Sequence, residues 1–153
     1  MSKFWVFVKT NFLTKKFLTF GIIGVVNTAI DAAVYLLADN VIGLDNAFLS
    51  KSIAFIIASV FSYFANAVFT FKPASKNAKQ FTVVMLVFLI RMLLSAALAE
   101  GINYMLVGWL AVDYAVHPAM ETIVPILSSA VMIPIAYFAL DVVYKKYGAK
   151  PAE

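Results

Sequence analysis

Long apolar stretches alternate with short lysine-containing segments along this chain. The apolar stretches lie at approximately residues 17–38, 48–71, 81–107 and 120–144. Each contains the ~20 residues that a helix needs to cross ~30 Å of hydrocarbon. The strict alternation over about ten residues that is typical of a membrane β-barrel strand does not occur. The pattern therefore predicts an all-α integral membrane protein with four transmembrane helices, arranged as two tandem hairpins.

The composition supports a membrane protein over a soluble one. The 153 residues are 63% hydrophobic and 13% charged, and the mean hydropathy is +0.92. Soluble domains carry roughly 25% charged residues, and a small one could not bury this much apolar surface. We expect residues 17–144 to form the membrane domain, residues 1–16 an interfacial or cytoplasmic segment, and residues 145–153 a basic cytoplasmic tail. The segments outside the spans are too short for a separate soluble domain.

The lysines predict the orientation of the chain. Ten of them fall on one side if the chain crosses four times: Lys3, Lys9, Lys15, Lys16, Lys72, Lys76, Lys79, Lys145, Lys146 and Lys150. The other side holds only Lys51 among the lysines, together with Asp39, Asp45, Asp113 and Glu121. Because lysine-rich short loops stay in the cytoplasm, both termini are predicted to be cytoplasmic, in a multi-pass protein of the cytoplasmic membrane. Such short basic loops suit anionic headgroups and provide too small a surface for nucleic acid.

The two halves of the chain show a weak internal similarity. Residues 15–18, KKFL, resemble residues 79–82, KQFT, and residues 62–69, SYFANAVF, resemble residues 136–143, AYFALDVV. We interpret this as a parallel repeat of one helical hairpin. The offset of 64 residues in the first match aligns Asn27 with Arg91. Both then lie about 15 Å from the cytoplasmic entry of their helix, near the middle of the membrane.

Polar residues in the spans form stripes at helical spacing. The stripes are Gly24, Asn27, Asp31 and Tyr35; Ser59, Ser62, Asn66 and Thr70, with Tyr63 alongside; Arg91 and Ser95; and Tyr137 and Asp141. Gly21 and Gly24 additionally predict a strip where another helix approaches closely. Four helices that turn these stripes inward would form one polar seam. The seam is either hydrogen-bonding glue, worth about 0.6 kcal/mol per contact, or a binding site.

Arg91 and Asp31 favour the binding site. A charge at the centre of a membrane helix costs about 2.5–3.5 kcal/mol, and glue does not require full charges. We predict an Asp31–Arg91 pair or near-pair, with the remaining guanidinium donors directed at a phosphate or carboxylate. Glu100 lies about 180° around the helix from Arg91 and cannot share its site. Lys51 is a candidate partner for Glu100.

The sequence offers no candidate for catalysis or metal binding. Cysteine is absent and there is one histidine. We find no nucleophile–base pair and no glycine loop of the kind that cradles phosphate, so no catalytic residue, metal or cofactor is expected. Pro125 and Pro134 mark the fourth span as a candidate kinked element, which either moves or is static.

Two motifs resemble the GtrA-like family of small four-span membrane proteins. Residues 17–38 contain its Gly-x-x-Asn-Thr-x-x-Asp run, here beginning at Gly24, and the second span ends in its Asn-x-x-aromatic-Thr-Phe run, beginning at Asn66. In the family a basic residue often follows that asparagine, whereas this chain has Ala67. It also departs where many members repeat an asparagine–aromatic ending in the fourth span, since Leu140 and Asp141 stand there.

The resemblance implies a role in polysaccharide or teichoic acid glycosylation, through a polyprenyl-phosphate-linked sugar made by partner glycosyltransferases. We expect Arg91, with Asn27, Asp31 and Asn66, to bind the lipid phosphate. Secondary positions are Ser62, Tyr63, Ser95, Tyr137 and Asp141. The alternatives are a non-transporting anchor for a glycosyltransferase and, less favoured because Arg91 repels cationic drugs, a small multidrug exporter. A homo-oligomer is also a candidate, because four helices make a thin bundle.

Overall fold

The structure is a computed structural model, and it describes residues 10, 14–38, 42, 46–117 and 119–149. Its helices are α1 (Lys15–Leu36), α2 (Ala47–Ala65), a π-helical segment that continues α2 (Asn66–Phe71), α3 (Ala78–Gly108) and α4 (Ala119–Tyr147). These described residues contain no strand, and the helix ends lie within three residues of the predicted spans. The all-α, four-helix prediction is confirmed. Most of the predicted segment 1–16, and residues 150–153 of the predicted tail, lie outside the described residues.

The helices have the length and the surface of membrane spans. Each of the four is long and apolar enough to cross a bilayer. Many large apolar side chains are exposed, among them Val25 on α1, Phe64 on α2 and Leu93 on α3. In water such exposure would forgo about 25 cal/mol for each Å² of apolar surface left unburied, whereas in a bilayer these side chains contact lipid. The chain is therefore a multi-pass membrane protein.

Side-chain caps define where three of the helices begin. Thr14, Asn46 and Asn77 precede α1, α2 and α3, and each accepts a hydrogen bond from the amide three residues later, at 3.1, 3.0 and 2.8 Å. These bonds satisfy donors that the first turn of a helix leaves unpaired. The caps thus fix the helix starts by local chemistry as well as by hydrophobicity.

The described chain divides into two compact units. The first contains residues up to Met85 and from Asp141 onward, and the second contains Leu86–Leu140. In the first unit, α1 packs along α2 and the π-helical segment. In the second unit, the Ser95 and Ser129 hydroxyls are 3.3 Å apart, and Tyr114 donates to Asn103 Oδ1 at 2.6 Å. Helix α4 continues through both Pro125 and Pro134.

Aromatic rings bring four helix ends together in the first unit. The Phe71 and Tyr144 rings stack at 4.7 Å, and the Tyr63 ring meets the Phe81 ring edge-on at 4.9 Å. The Tyr144 hydroxyl donates to the Tyr63 carbonyl at 2.9 Å, while the Tyr63 hydroxyl donates to Gln80 Oε1 at 3.0 Å. Together with the Phe20–Phe71 ring contact, these interactions join the start of α1, the end of α2, the start of α3 and the end of α4. We call this the lysine-rich end, because seven lysines lie in or beside it: Lys15, Lys16, Lys72, Lys76, Lys79, Lys145 and Lys146.

Hydrogen bonds tie the loop before α3 to the chain after α4. Ser75 donates from its backbone amide to the Gly148 carbonyl and from its hydroxyl to the Ala149 carbonyl, both at 3.0 Å. Asn77 Nδ2 donates to the Tyr147 carbonyl at 2.7 Å. A Cβ added to Gly148 would lie 2.3 Å from the Tyr144 carbonyl oxygen, so glycine permits this close approach.

Candidate functional site

The polar stripe on α2 and the π-helical segment lies inside the protein. Its members Ser59, Ser62, Asn66 and Thr70 are all buried, as is the neighbouring Tyr63. The hydroxyl oxygen of Thr70 has no hydrogen-bond partner in the part of the chain that the structure describes. This face is therefore both desolvated and incompletely paired, unlike a surface stripe that water would satisfy.

Asn66 begins the π-helical segment and is completely buried. Its Nδ2 donates to the Ser62 carbonyl at 2.9 Å and contacts the Ser62 hydroxyl at 3.2 Å. Because a carbonyl only accepts, this bond fixes which amide atom faces Ser62. The Oδ1 atom is left buried without a partner among the described residues. Asn66 therefore presents an unsatisfied acceptor.

Other unsatisfied polar atoms are found in the same unit. They are Asn27 Oδ1, Ser50 Oγ, Thr70 Oγ1 and Gln80 Nε2. A buried polar atom without a partner costs about 1–3 kcal/mol. Water or a hydroxyl group can satisfy any of these atoms, since a hydroxyl both donates and accepts. An amide oxygen such as that of Asn66 cannot bind a phosphate oxygen, because both are acceptors.

Asp31 has a partner that the sequence did not suggest. Its carboxylate forms an ion pair with Lys51, which joins α1 to the first turn of α2. Lys51 was a candidate partner for Glu100, which lies in the other unit, and within its own unit the ammonium group contacts Asp31. The predicted Asp31–Arg91 pair would connect residues of different units and stays a prediction.

Arg91 lies on α3 in the second unit and is half-buried. Within the described residues of that unit, no carboxylate forms an ion pair with it and no group hydrogen-bonds to it. Ser95, one turn later, contacts the Ser129 hydroxyl. Glu100 is exposed, as its position on the opposite side of α3 predicts.

The glycine strip on α1 is not a site of close helix packing. A Cβ built on Gly21 or Gly24 would meet no atom of the described chain within 4 Å. No atom of the described chain makes the close approach that these two residues allow. Small residues permit such an approach but do not enforce it, because the rotation of α1 is set by its other contacts.

The two polar residues predicted on α4 have different surroundings. Tyr137 is buried and its ring packs edge-on against Phe138 at 5.3 Å. Asp141, one turn later, forms ion pairs with Lys16 and, at 2.6 Å, with Lys145. The carboxylate thus links the start of α1 to the end of α4.

A cleft of about 200 Å³ opens beside Asp141 at the lysine-rich end. Its lining includes Lys16, Lys72 and Lys145, which the sequence presented only as markers of orientation. Gln80 and Tyr144 were also missed as members of this region. The one signal for Gln80 was a neutral polar residue just ahead of an apolar span.

Comparisons with known proteins identify a family for the membrane domain. No curated protein and no solved structure gives a significant match to the chain. The model of the GtrA/DPMS transmembrane domain matches residues 19–143, which include both motifs and all four helices. The chain therefore belongs to the GtrA/DPMS transmembrane domain family, which is linked to the handling of lipid-linked sugars.

Proposed function

We propose that this protein binds a polyprenyl-phosphate-linked sugar and translocates it across the cytoplasmic membrane, for glycosylation of a cell-surface polysaccharide or teichoic acid. The observation that carries the proposal is Arg91, a cation on a membrane-spanning helix with which no carboxylate among the described residues of its unit forms an ion pair. Membership of the GtrA/DPMS family supports the same class of ligand. The proposed role requires no covalent step and no cofactor.

The phosphate is assigned to Arg91. Insertion of an arginine into a membrane helix costs about 2.5–3.5 kcal/mol, and no ion pair with a described residue of its unit offsets that cost. A guanidinium group presents several donors in a planar fork, and this geometry matches the oxygens of a phosphate. A cationic drug would be repelled at the same position, and for this reason a lipid phosphate is favoured over the substrate of a multidrug exporter.

The buried polar atoms of the first unit are a separate candidate for contacts with sugar hydroxyl groups. Asn66 Oδ1 can accept from a sugar hydroxyl, and Thr70 Oγ1 can donate or accept. Asn27 contributes a second buried acceptor from α1. The expectation that Asn27 and Asn66 help to bind phosphate stays a prediction, and their buried free atoms are amide oxygens, which accept. The exposed apolar faces of the four helices suit the polyprenyl chain.

The test is delivery of sugar to the outer surface in cells that carry variants at Arg91. Arg91→Leu removes the donors and is expected to lower delivery by at least about tenfold, the loss expected for one charge-assisted hydrogen bond. Arg91→Lys keeps the charge without the planar fork and should retain part of the activity. Met92→Leu, a conservative change at the neighbouring position, is the matched control. Full activity of a stably expressed Arg91→Leu protein would exclude the phosphate role.

Reconstitution into vesicles separates translocation from anchoring. The purified protein should accelerate transfer of a fluorescent short-chain prenyl-phosphate sugar between leaflets, and Arg91→Leu should slow it. If the pure protein moves no lipid but co-purifies firmly with a glycosyltransferase, the anchor function replaces the flippase function. Both measurements use the same purified protein, so neither result depends on cell growth.

A further inference from the structure

The cleft at the lysine-rich end combines a cationic rim with an aromatic wall. Its charged lining is Lys16, Lys72, Lys145 and Asp141, and its aromatic wall is Phe71 and Tyr144. The Lys16 ammonium also lies 4.8 Å from the centre of the Phe71 ring, a cation–π distance. The cleft therefore has the size of a small polar group and a defined wall, rather than the shape of a flat basic surface.

The charges of the cleft are unbalanced. Among the described residues that line it, three are lysines and one, Asp141, carries a carboxylate. Asp141 contacts Lys16 through Oδ1 and Lys145 through Oδ2. Lys72 has no acidic partner within the part of the chain that the structure describes, and its backbone adopts a left-handed conformation with φ 48° at the end of the π-helical segment. Lys72 is thus available to an anion, whereas the Asp141 carboxylate already contacts the Lys16 and Lys145 ammonium groups.

We propose that this cleft binds a phosphate group at the membrane surface, and that Asp141 is the resident anion with which the phosphate competes. Lys72 would contact the phosphate directly. Lys16 and Lys145 would exchange the carboxylate for phosphate oxygens, since an ammonium group accommodates either anion without a fixed geometry. The Asp141 carboxylate therefore weakens the binding of phosphate and aids its release.

The location of the cleft matches the depth of lipid phosphates. It lies where α1 begins and where the π-helical segment and α4 end, and these helix ends mark the boundary of the apolar spans. Lipid phosphates lie just outside the hydrocarbon region, where basic side chains are attracted to an anionic surface. The phosphate could belong to a lipid headgroup or to a free phosphate compound. The inference that the transported lipid-linked sugar first contacts the protein here, through its phosphate, rests on the proposed function. The inference that the cleft binds phosphate does not.

The test measures binding by the full-length protein in dodecyl maltoside, a neutral detergent, without any transport step. Dodecyl phosphate is the lipid-like probe and inorganic phosphate is the free probe, each titrated by calorimetry and by thermal unfolding. Wild-type protein is expected to bind dodecyl phosphate, and Lys72→Gln is expected to weaken binding by about tenfold through loss of one charge-assisted contact. Lys76→Gln removes the same charge from the same loop but not from the cleft, and should leave binding within about twofold of wild type.

Asp141→Asn distinguishes the competing anion from a simple structural link. If the carboxylate competes with phosphate, this variant should bind dodecyl phosphate roughly three- to tenfold more tightly, even though it loses two ion pairs. A purely structural Asp141 predicts lower thermal stability and unchanged or weaker binding. Tighter binding in Asp141→Asn, together with weaker binding in Lys72→Gln, supports the proposal.

Three results would overturn it: no binding of either probe, equal losses in Lys72→Gln and Lys76→Gln, or no gain in a folded Asp141→Asn protein. Preference for dodecyl phosphate over inorganic phosphate assigns the site to lipid, and equal binding assigns it to phosphate in general. A cleft that fails these tests leaves the Arg91 experiments unaffected. Loss of sugar delivery on Arg91→Leu likewise does not decide whether the cleft binds phosphate.

Discussion

The charged side chains of this protein differ in whether a partner lies near them. Asp31 is paired with Lys51, and Asp141 is shared by Lys16 and Lys145. Ion pairs of this kind, close to helix ends and partly hydrated, contribute little to stability, about 0–1 kcal/mol each. Their main effect is that each carboxylate neutralises the charge of a neighbouring lysine. Arg91 differs from them, because no carboxylate among the described residues of its unit forms an ion pair with it.

Gly148 is the residue at which a single methyl group should matter most for stability. An added Cβ would lie 2.3 Å from the Tyr144 carbonyl oxygen and 2.4 Å from Pro73 Cβ. Both atoms are held by backbone or ring geometry, so Gly148→Ala should lower the free energy of unfolding by about 1–3 kcal/mol. Thermal unfolding in detergent measures this loss.

Gly101→Ala is the control for that substitution. Its added Cβ meets nothing within 4 Å of the described chain, and a helix-interior alanine stabilises by about 0.5–1 kcal/mol relative to glycine. Equal melting temperatures for Gly148→Ala and wild type would show that the loop before α3 does not contact the chain after α4.

At the scale of the element, the first hairpin is the best-packed part of the described chain. Helix α1 packs against α2 and its π-helical continuation, and the stripe from Ser59 to Thr70 is buried. A π-helical turn adds a residue to the helical repeat and often marks a functional position. Here it coincides with Asn66 and ends at Lys72, so it connects the unpaired acceptor in the span with the cleft at the lysine-rich end.

The Asp31–Lys51 pair should appear as an energetic coupling between α1 and α2. Asp31→Asn and Lys51→Met should each lower stability, and the double variant should lose less than the sum, by about 0.3–1 kcal/mol. The Lys51 side chain is 56% exposed, and solvent therefore limits the coupling. The same cycle with Asp31→Asn and Arg91→Met gives the comparison. A larger coupling to Arg91 than to Lys51 would restore the pair that the sequence suggested.

At the scale of the whole molecule, the distribution of lysines predicts the orientation of the chain in the membrane. In the first unit, four helix ends meet at the lysine-rich end, and they include the start of α1 and the end of α4. This agrees with a chain that crosses the membrane an even number of times. The compartment that this end faces is a prediction from the excess of lysine.

The orientation can be tested directly, because the chain contains no cysteine. Lys76→Cys lies in the exposed loop before α3, and Val116→Cys lies between α3 and α4 at a residue that is 67% exposed. A membrane-impermeant maleimide added to intact cells should label Val116→Cys only. Lys76→Cys should react after permeabilisation, and the reverse pattern would invert the topology.

The sequence by itself determined the number and the approximate bounds of the helices, because each apolar stretch meets the length and hydropathy of a span without help from its neighbours. It also determined that the stripe around Asn66 turns inward, since a polar face at helical spacing on a membrane helix avoids lipid. It did not determine the charge pairs. Lys16 and Asp141 are separated by 125 positions, and their contact depends on how α1 and α4 rotate and end.

Only the tertiary structure could show that Gly21 and Gly24 face open space, whereas Gly148 lies in a crowded contact. Only the structure could show that the unpaired atom of Asn66 is an acceptor, because the direction of an amide depends on the carbonyl that its nitrogen contacts. The cleft depends in the same way on packing, since its lysines come from three separated helix ends. Local pattern decides which segments enter the membrane, and side-chain geometry between distant segments decides which groups remain available to a ligand.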